Sequence, residues 1–117
     1  MASKLSINRG TTFAITLNYQ KNGVAADLTG ATVRFTVKSA EYDTDNTDGA
    51  ALVLKNITSH TNPTGGVSTI ALAPADTQNI TPGTYTYDIK VAEASGAVYK
   101  VDEGKLILDG SPTNRLV

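Results

Sequence analysis

Hydrophobic and polar residues alternate with a period of two along much of this chain, and residues 82–91 show the pattern without interruption. Apolar or aromatic residues fall on one side and polar residues on the other: Tyr85, Tyr87, Ile89 and Val91 against Thr84, Thr86, Asp88 and Lys90. Because successive side chains of a β-strand point to opposite faces, this alternation predicts a strand with one buried and one solvated face. We expect it to be a central strand of a β-sandwich.

Further segments with similar alternation are predicted as strands, at residues 4–8, 12–20, 31–39, 51–56, 67–73 and 97–108. The last of these is expected to pair with residues 82–91. Its alternation slips between Val101 and Leu106, and Gly104 is the expected position of a β-bulge. Asn22-Gly23 predicts a tight turn, because both residue types tolerate a positive φ.

The remaining segments are mostly turns and loops. Residues 74–79 can form one helical turn, with Pro74 near its start, and Ile80 is expected to fill the core beneath it. Taken together, these elements predict an all-β fold, an immunoglobulin-like antiparallel β-sandwich of about seven strands with one short helical turn.

The length of 117 residues predicts a single domain over residues 1–117. We expect its core at about 4–109, an N-terminal arm at 1–3 and a C-terminal tail at 110–117. Cysteine is absent from the sequence, which excludes disulfides and cysteine-ligated metals. No apolar run has the length of a signal peptide or a membrane span, so we expect the protein in the cytoplasm or assembled there into something larger.

The formal net charge is −1, from 10 basic and 11 acidic residues. Such a balance gives no electrostatic reason to expect nucleic acid or an anionic membrane as a partner.

Residues suited to catalysis are sparse. The single histidine, His60, lies in a predicted loop beside Ser59, and a catalytic triad needs a base oriented by a third group. We expect His60 to be a surface loop residue; the alternative is an interface contact. The carboxylates Asp88, Asp102, Glu103 and Asp109 lie on or near strands, but nothing marks two of them as facing each other, as glycoside hydrolysis requires. The sequence therefore predicts no enzyme, no catalytic residue and no cofactor.

The acidic segment around Asp43, Asp45 and Asp48 invites comparison with a calcium loop. An EF-hand loop needs glycine at its sixth position and glutamate at its twelfth, where this chain has Asp48 and Leu54. The EF-hand interpretation fails on these positions. Asp43, Asp45 and Asp48 remain candidates for a nonstandard Ca²⁺ site, and the alternative is a solvated insertion between two strands.

The tyrosines have two interpretations. Tyr85 follows the turn that enters its strand, and we expect a hydrogen bond resembling a tyrosine corner, or plain core packing. Tyr42 and Tyr99 could stack on a carbohydrate.

A resemblance to a known family rests on the order of five phrases along the chain. These are Arg9-Gly10-Thr11-Thr12-Phe13, Asp-Leu-Thr-Gly-Ala-Thr-Val-Arg-Phe-Thr-Val at residues 27–37, Ala73-Pro74-Ala75-Asp76-Thr77, Pro82-Gly83-Thr84-Tyr85-Thr86-Tyr87-Asp88, and Glu103-Gly104-Lys105-Leu106. The series resembles the immunoglobulin-like domains of tailed-bacteriophage structural proteins. It is similar in particular to the family of the N-terminal domain of upper baseplate proteins, which also occurs as small stand-alone phage proteins. The resemblance covers about residues 4–109; the acidic segment from Glu41 to Gly49 departs from the compact loop of that family.

The resemblance implies a multi-copy, non-enzymatic component of the virion, assembled in the bacterial host cytoplasm. Its implied role is an adaptor or accessory subunit that docks on the tail, baseplate, neck or capsid, with other virion proteins and copies of itself as partners. Leu116 and Val117 are candidate partner-binding residues, as an apolar anchor at the end of the C-terminal tail; the alternative is a frayed terminus. A carbohydrate-binding or adhesion module, assisted by Ca²⁺ at the acidic segment, is the alternative function.

Overall fold

The structure, a computed structural model, describes residues 3–39 and 51–110. Its elements in chain order are β1 (Ser3–Asn8), β2 (Phe13–Asn18), β3 (Gln20–Lys21), β4 (Val24–Ala25), β5 (Thr32–Lys38), β6 (Val53–Ile57), β7 (Val67–Leu72), α1 (Pro74–Thr77), β8 (Gly83–Ala92) and β9 (Val98–Asp109). The predicted strands all appear, with end points shifted by a few residues. No helix in these two ranges is long and apolar enough to cross a membrane.

Two sheets and a small hairpin make up the fold. The larger sheet has the strand order β1-β9-β8-β5-β6, and the smaller consists of β2 and β7. The central position predicted for residues 82–91 is confirmed, because β8 pairs with β9 on one side and with β5 on the other. β3 and β4 form a separate hairpin, whose turn residues Asn22 and Gly23 have φ of 53° and 78°.

One strand pair departs from the antiparallel expectation. β1 runs parallel to β9, with Ser3 opposite Gly104 and Asn8 opposite Asp109. The loop from β1 to β2 passes from the larger sheet to the smaller, so β1 and β2 lie in different sheets. Alternation within β1 could not reveal this direction, because parallel and antiparallel strands share a period of two.

The core fills the space between the two sheets. Residues on the inner faces of β5, β8 and β9 form one hydrophobic cluster with those of β2 and β7, including Val33, Phe35, Val37, Tyr87, Ile89, Val91, Leu106, Leu108, Leu17, Ile70 and Leu72. Phe35 and Tyr87 pack at the centre, with their ring centroids 5.9 Å apart. In β6, Val53 is buried, while Leu52 and Leu54 are 41% and 48% exposed on the opposite face.

The bulge in β9 does not lie at Gly104. The register shifts where Ile89 pairs with Asp102 and Lys90 pairs with Lys100, which leaves Val101 as the extra residue. Gly104 instead pairs regularly with Tyr87. β1 accompanies β9 only from Gly104 onward, so an insertion at Val101 disturbs one ladder rather than two.

The helical turn closes one end of the sandwich. Pro74 begins α1, and the Ala73 amide donates to the Asp76 carboxylate at 2.6 Å. The buried Thr77 hydroxyl accepts from the Gly10 amide at 2.8 Å, which ties the β1–β2 loop to the helix. Ile80 packs against the core as expected.

Tyr85 forms the hydrogen bond expected of a tyrosine corner. Its hydroxyl donates to the backbone carbonyl of Thr81, four residues earlier. The bond fixes the path by which the chain enters β8, as in immunoglobulin-like domains.

We expect Tyr85→Phe to lower the free energy of unfolding by about 1 kcal/mol, since it removes this one hydrogen bond and keeps the ring. Tyr99→Phe is the matched control and should change the value by less than about 0.5 kcal/mol, because Tyr99 is 46% exposed. Urea unfolding measures both. Equal effects of the two changes would show that the corner bond does not stabilise the fold.

Candidate functional site

An open groove lies on the side of the sandwich where β9 extends beyond β1. Residues 98–103 of β9 have β8 as a neighbour but are not paired with β1. The groove has a volume of about 520 Å³, and it is lined by Leu17, Asn18, Tyr19, Gln20, Lys21, Asn22, Tyr99, Lys100 and Val101. Its lining brings polar and aromatic side chains together in one concave site, so we take it as the candidate binding site.

A network of polar contacts fixes one wall of this groove. The Tyr19 hydroxyl donates to Glu93 Oε2 at 2.5 Å, and Lys21 Nζ lies 2.6 Å from the same oxygen. Lys21 Nζ also lies 5.0 Å from the ring centroid of Tyr99, within the range of a cation–π contact. Glu93 thus connects the end of β8 to the β3–β4 hairpin.

These contacts shift the ionisation of all three groups. Burial, reinforced by the hydrogen bond to Glu93, raises the pKa of Tyr19 well above its usual range. The Lys21 ammonium and the Tyr19 hydroxyl lower the pKa of Glu93, and the hydrogen bond to Glu93 raises the pKa of Lys21. At neutral pH, Tyr19 is therefore neutral while Glu93 and Lys21 are charged. None of these three shifts brings a group toward the neutral pKa that suits a general acid or base.

The pH dependence of stability should report on Glu93. Folding lowers the pKa of Glu93. Its contribution to the free energy of unfolding is therefore fully present above the unfolded-state pKa of about 4.3, and it is lost as the pH falls through the folded-state pKa. The pKa of Lys21 is raised, so its contribution is present below about pH 10.4 and is lost as pH rises through the folded-state value.

We therefore expect Glu93→Gln to narrow the stability difference between neutral and acidic pH. Urea unfolding from about pH 3 to pH 7 measures this difference. Asp27 also has a lowered pKa, through its hydrogen bonds with Thr29, and should retain part of the acid dependence in the variant. If Glu93→Gln loses as much stability between neutral and acidic pH as the unchanged protein, the assignment to Glu93 is contradicted.

Tyr99 is the sequence-predicted residue that the structure places in the groove. Its side chain is 46% exposed, and it stands opposite the buried Val91. Tyr42, the other tyrosine proposed to stack on a sugar, lies outside the described residues. So do the candidate Ca²⁺ ligands Asp43, Asp45 and Asp48, and the candidate anchor Leu116 and Val117.

His60 lies in a loop, as expected, but it is only partly exposed and both of its ring nitrogens have hydrogen-bond partners. Its Nε2 lies 2.8 Å from the Ala31 carbonyl oxygen, and its Nδ1 lies 2.9 Å from the hydroxyl of the buried Ser68. Because a carbonyl only accepts hydrogen bonds, Nε2 carries the hydrogen of the first contact. His60 therefore ties its loop to β7 and to the residue before β5.

We expect His60→Ala to lower the free energy of unfolding by about 2–3 kcal/mol, because it leaves the fully buried Ser68 hydroxyl without its histidine partner. Thr61→Ala is the control: its hydroxyl contacts Thr69 at an exposed position, and its removal should cost less than about 0.5 kcal/mol. Thermal or urea unfolding compares them, and equal losses would contradict a structural role for His60.

The carboxylates considered for catalysis have other partners. Asp102 accepts from the Tyr87 hydroxyl at 3.1 Å and from the Glu103 amide at 2.9 Å. Glu103 forms an ion pair with Lys100 at 2.9 Å, and Asp109 accepts from Ser6. Within residues 3–39 and 51–110, no group of three or more histidine, cysteine, aspartate or glutamate residues could hold a metal ion.

Sequence reasoning missed the contact that organises the groove. Tyr19 is buried between β2 and β3, and its hydroxyl bonds to a residue 74 positions away. Glu93 follows a strand of alternating residues and carries no motif. Nothing in the sequence joins these two positions.

Comparison with known proteins finds similarity in structure only. No family model matches the sequence, and no curated protein matches it. The soluble domain of PmoD from Methylocystis sp. has a TM-score of 0.53 at 7% identity, with coverage of 89% of this chain and 77% of that one.

Two further structures are similar at a lower level. The immunoglobulin-like domain of mouse leukocyte-associated immunoglobulin-like receptor 1, a strand-swapped dimer, has a TM-score of 0.49 at 19% identity, covering 92% of this chain and 88% of that one. A structure from a study of multimeric cell-adhesive interactions of VGSC beta subunits has a TM-score of 0.43 at 9% identity, covering 96% and 93%.

At such identities a structural likeness concerns the fold alone. The strand order, the pairing of β2 with β7 and the tyrosine corner at Tyr85 are features of an immunoglobulin-like sandwich. The chain is an all-β, immunoglobulin-like sandwich.

Proposed function

We propose that this protein is a non-enzymatic structural component of a tailed-bacteriophage particle. It would be a multi-copy adaptor or accessory subunit that docks on the tail, baseplate, neck or capsid, assembled in the host cytoplasm. The observation that carries the proposal is the order of the five phrases, which resembles the order in phage immunoglobulin-like domains.

Each of the more distinctive phrases has a physical task in the fold. In Asp27-Leu28-Thr29-Gly30, the Asp27 carboxylate accepts from the Thr29 amide at 2.8 Å, Leu28 is fully buried, and Gly30 adopts φ of 75°. The phrase at residues 82–88 carries the tyrosine corner. A shared order of such turns supports common descent of the sandwich, while the docking role comes from the resemblance.

The architecture suits a docking subunit. β2 and β7 form a sheet of only two strands, so each has an edge that no other described strand pairs with. Edges of this kind accept a strand from a partner through backbone hydrogen bonds. A sandwich can thus join a larger assembly without a catalytic site.

Proteomics of purified particles tests the proposal. We expect the protein in density-purified virions, at a copy number matching the symmetry of one virion substructure, and cross-linked to virion proteins. A non-structural phage protein of similar abundance in the lysate serves as the contamination control. If the purified particles are free of this non-structural protein and also lack the protein studied, the proposal is contradicted.

A carbohydrate-binding role is the second candidate, because the half-exposed Tyr99 lines a groove with polar neighbours. Such a role requires a ring face on which a sugar can stack. Calorimetry with host-surface glycans, with and without a chelator, tests it. Glycan binding would support this role if it is abolished by Tyr99→Ala and retained in Val98→Ala. A titration that shows no heat of binding would exclude it.

A further inference from the structure

The outward face of the larger sheet carries most of the positive charge of the protein. Six of the ten basic residues lie on this face: Lys4, Arg34, Lys38, Lys90, Lys100 and Lys105. Among residues 3–39 and 51–110, the carboxylates on this face are Asp88, Glu103 and Asp109. The face is therefore cationic, although the chain as a whole has a net charge of −1.

Three of these cations stand side by side on adjacent strands, and we call them the cationic row. Arg34 on β5 is directly opposite Lys90 on β8, and Lys90 is directly opposite Lys100 on β9. All three are exposed. Neighbouring strands lie only about 4.8 Å apart, and like charges directly opposite each other destabilise a sheet. Lys100, at one end of the row, forms an ion pair with Glu103.

The opposite face of the sandwich shows that this distribution is specific. The outward residues of β2 and β7 are uncharged and mostly small: Ala14, Thr16, Asn18, Val67, Thr69 and Ala71. Solubility alone would not require six cations on one face and none on the other. Repulsion among the three cations lowers the stability of the protein on its own. A partner whose charges neutralise the row would explain why the row is there.

We infer that the cationic row is a docking surface for an acidic protein segment. The inference deepens the proposed docking role by naming the face and the chemistry of the partner. Carboxylates of an extended acidic segment would pair with Arg34, Lys90 and Lys100, and Arg34 offers the planar fork that binds carboxylates through two hydrogen bonds.

Two observations favour a protein partner over a nucleic acid. The outward residues of β5, β8 and β9 include no aromatic ring on which a base could stack. Exposed apolar residues, Leu54 at 48% and Val98 at 57%, lie at the two sides of the face, where a protein surface could cover them.

Fluorescence anisotropy with defined probes tests the inference. The probe is a labelled synthetic peptide of alternating serine and glutamate, at about 20 mM salt, where electrostatic screening is weak. A peptide of alternating serine and glutamine is the uncharged control, and single-stranded DNA of equal charge represents the nucleic-acid alternative. The proteins compared are the full chain, the double variant Arg34→Gln/Lys90→Gln, and the charge-matched control Arg9→Gln/Lys55→Gln.

We expect the acidic peptide to bind the full chain. The double variant should weaken this binding by about tenfold or more, and the charge-matched control by less than about twofold. The double variant should have an unchanged or higher midpoint of thermal unfolding, because it removes like-charge repulsion; a lower midpoint would contradict the strain assigned to the row.

Other outcomes overturn the inference. Absence of peptide binding at about 1 mM, or equal losses in the two double variants, would show that the row is not the docking surface. DNA binding tighter than peptide binding, and lost in the row variant, would assign the row to a nucleic acid. The particle proteomics proposed above is independent of these assays, so the virion role could stand while this inference fails.

Discussion

The packing of Phe35 against Tyr87 at the centre of the sandwich is the contact on which the rest of the structure depends. Both residues are buried, and they lie on adjacent strands, β5 and β8. β8 is also paired with β9, so one aromatic contact is held by two ladders of backbone hydrogen bonds. The inner residues of β2 and β7 then complete the same cluster from the other sheet. Removal of either ring would leave a cavity costing about 3–5 kcal/mol, a large part of the stability of a domain of this size.

Alternate residues of β8 point to opposite sides of the sheet. The residues that pack in the core therefore determine which residues lie on the surface. Tyr87, Ile89 and Val91 point inward, and this fixes Asp88 and Lys90 outward. The ladders on both sides of β8 then align Lys90 with Arg34 and Lys100, and Asp88 with Thr36 and Glu103. The charged rows on the outer face are thus a consequence of the same register that packs Phe35 against Tyr87. The paired strands thus set the spacing of these charges before any partner binds.

The sequence predicts what depends on alternation within one strand. It identifies the strands, the inner residues of β8, the Asn22-Gly23 turn and the hydrogen bond of Tyr85. It does not predict what depends on pairing between distant segments. The parallel direction of β1, the ties made by His60 to Ala31 and Ser68, and the contact of Tyr19 with Glu93 all join positions with no local signal. The net charge of −1 also gives no sign of the cationic face, because the net charge does not report which charged residues lie on the same face of a sheet.

The bulge at Val101 connects the two candidate surfaces of this protein. In a regular ladder, the partner of Lys90 would be Val101, and Lys100 would stand opposite the inward-facing Val91. The extra residue shifts the strand by one position, which exchanges the two faces for every residue before it. Tyr99 is thereby placed opposite Val91 and lines the groove, while Lys100 points outward and completes the cationic row. The slip in alternation that the sequence shows in this strand is therefore the feature that builds both surfaces, and its position at Val101 rather than Gly104 places Glu103 opposite Asp88 on the outer face.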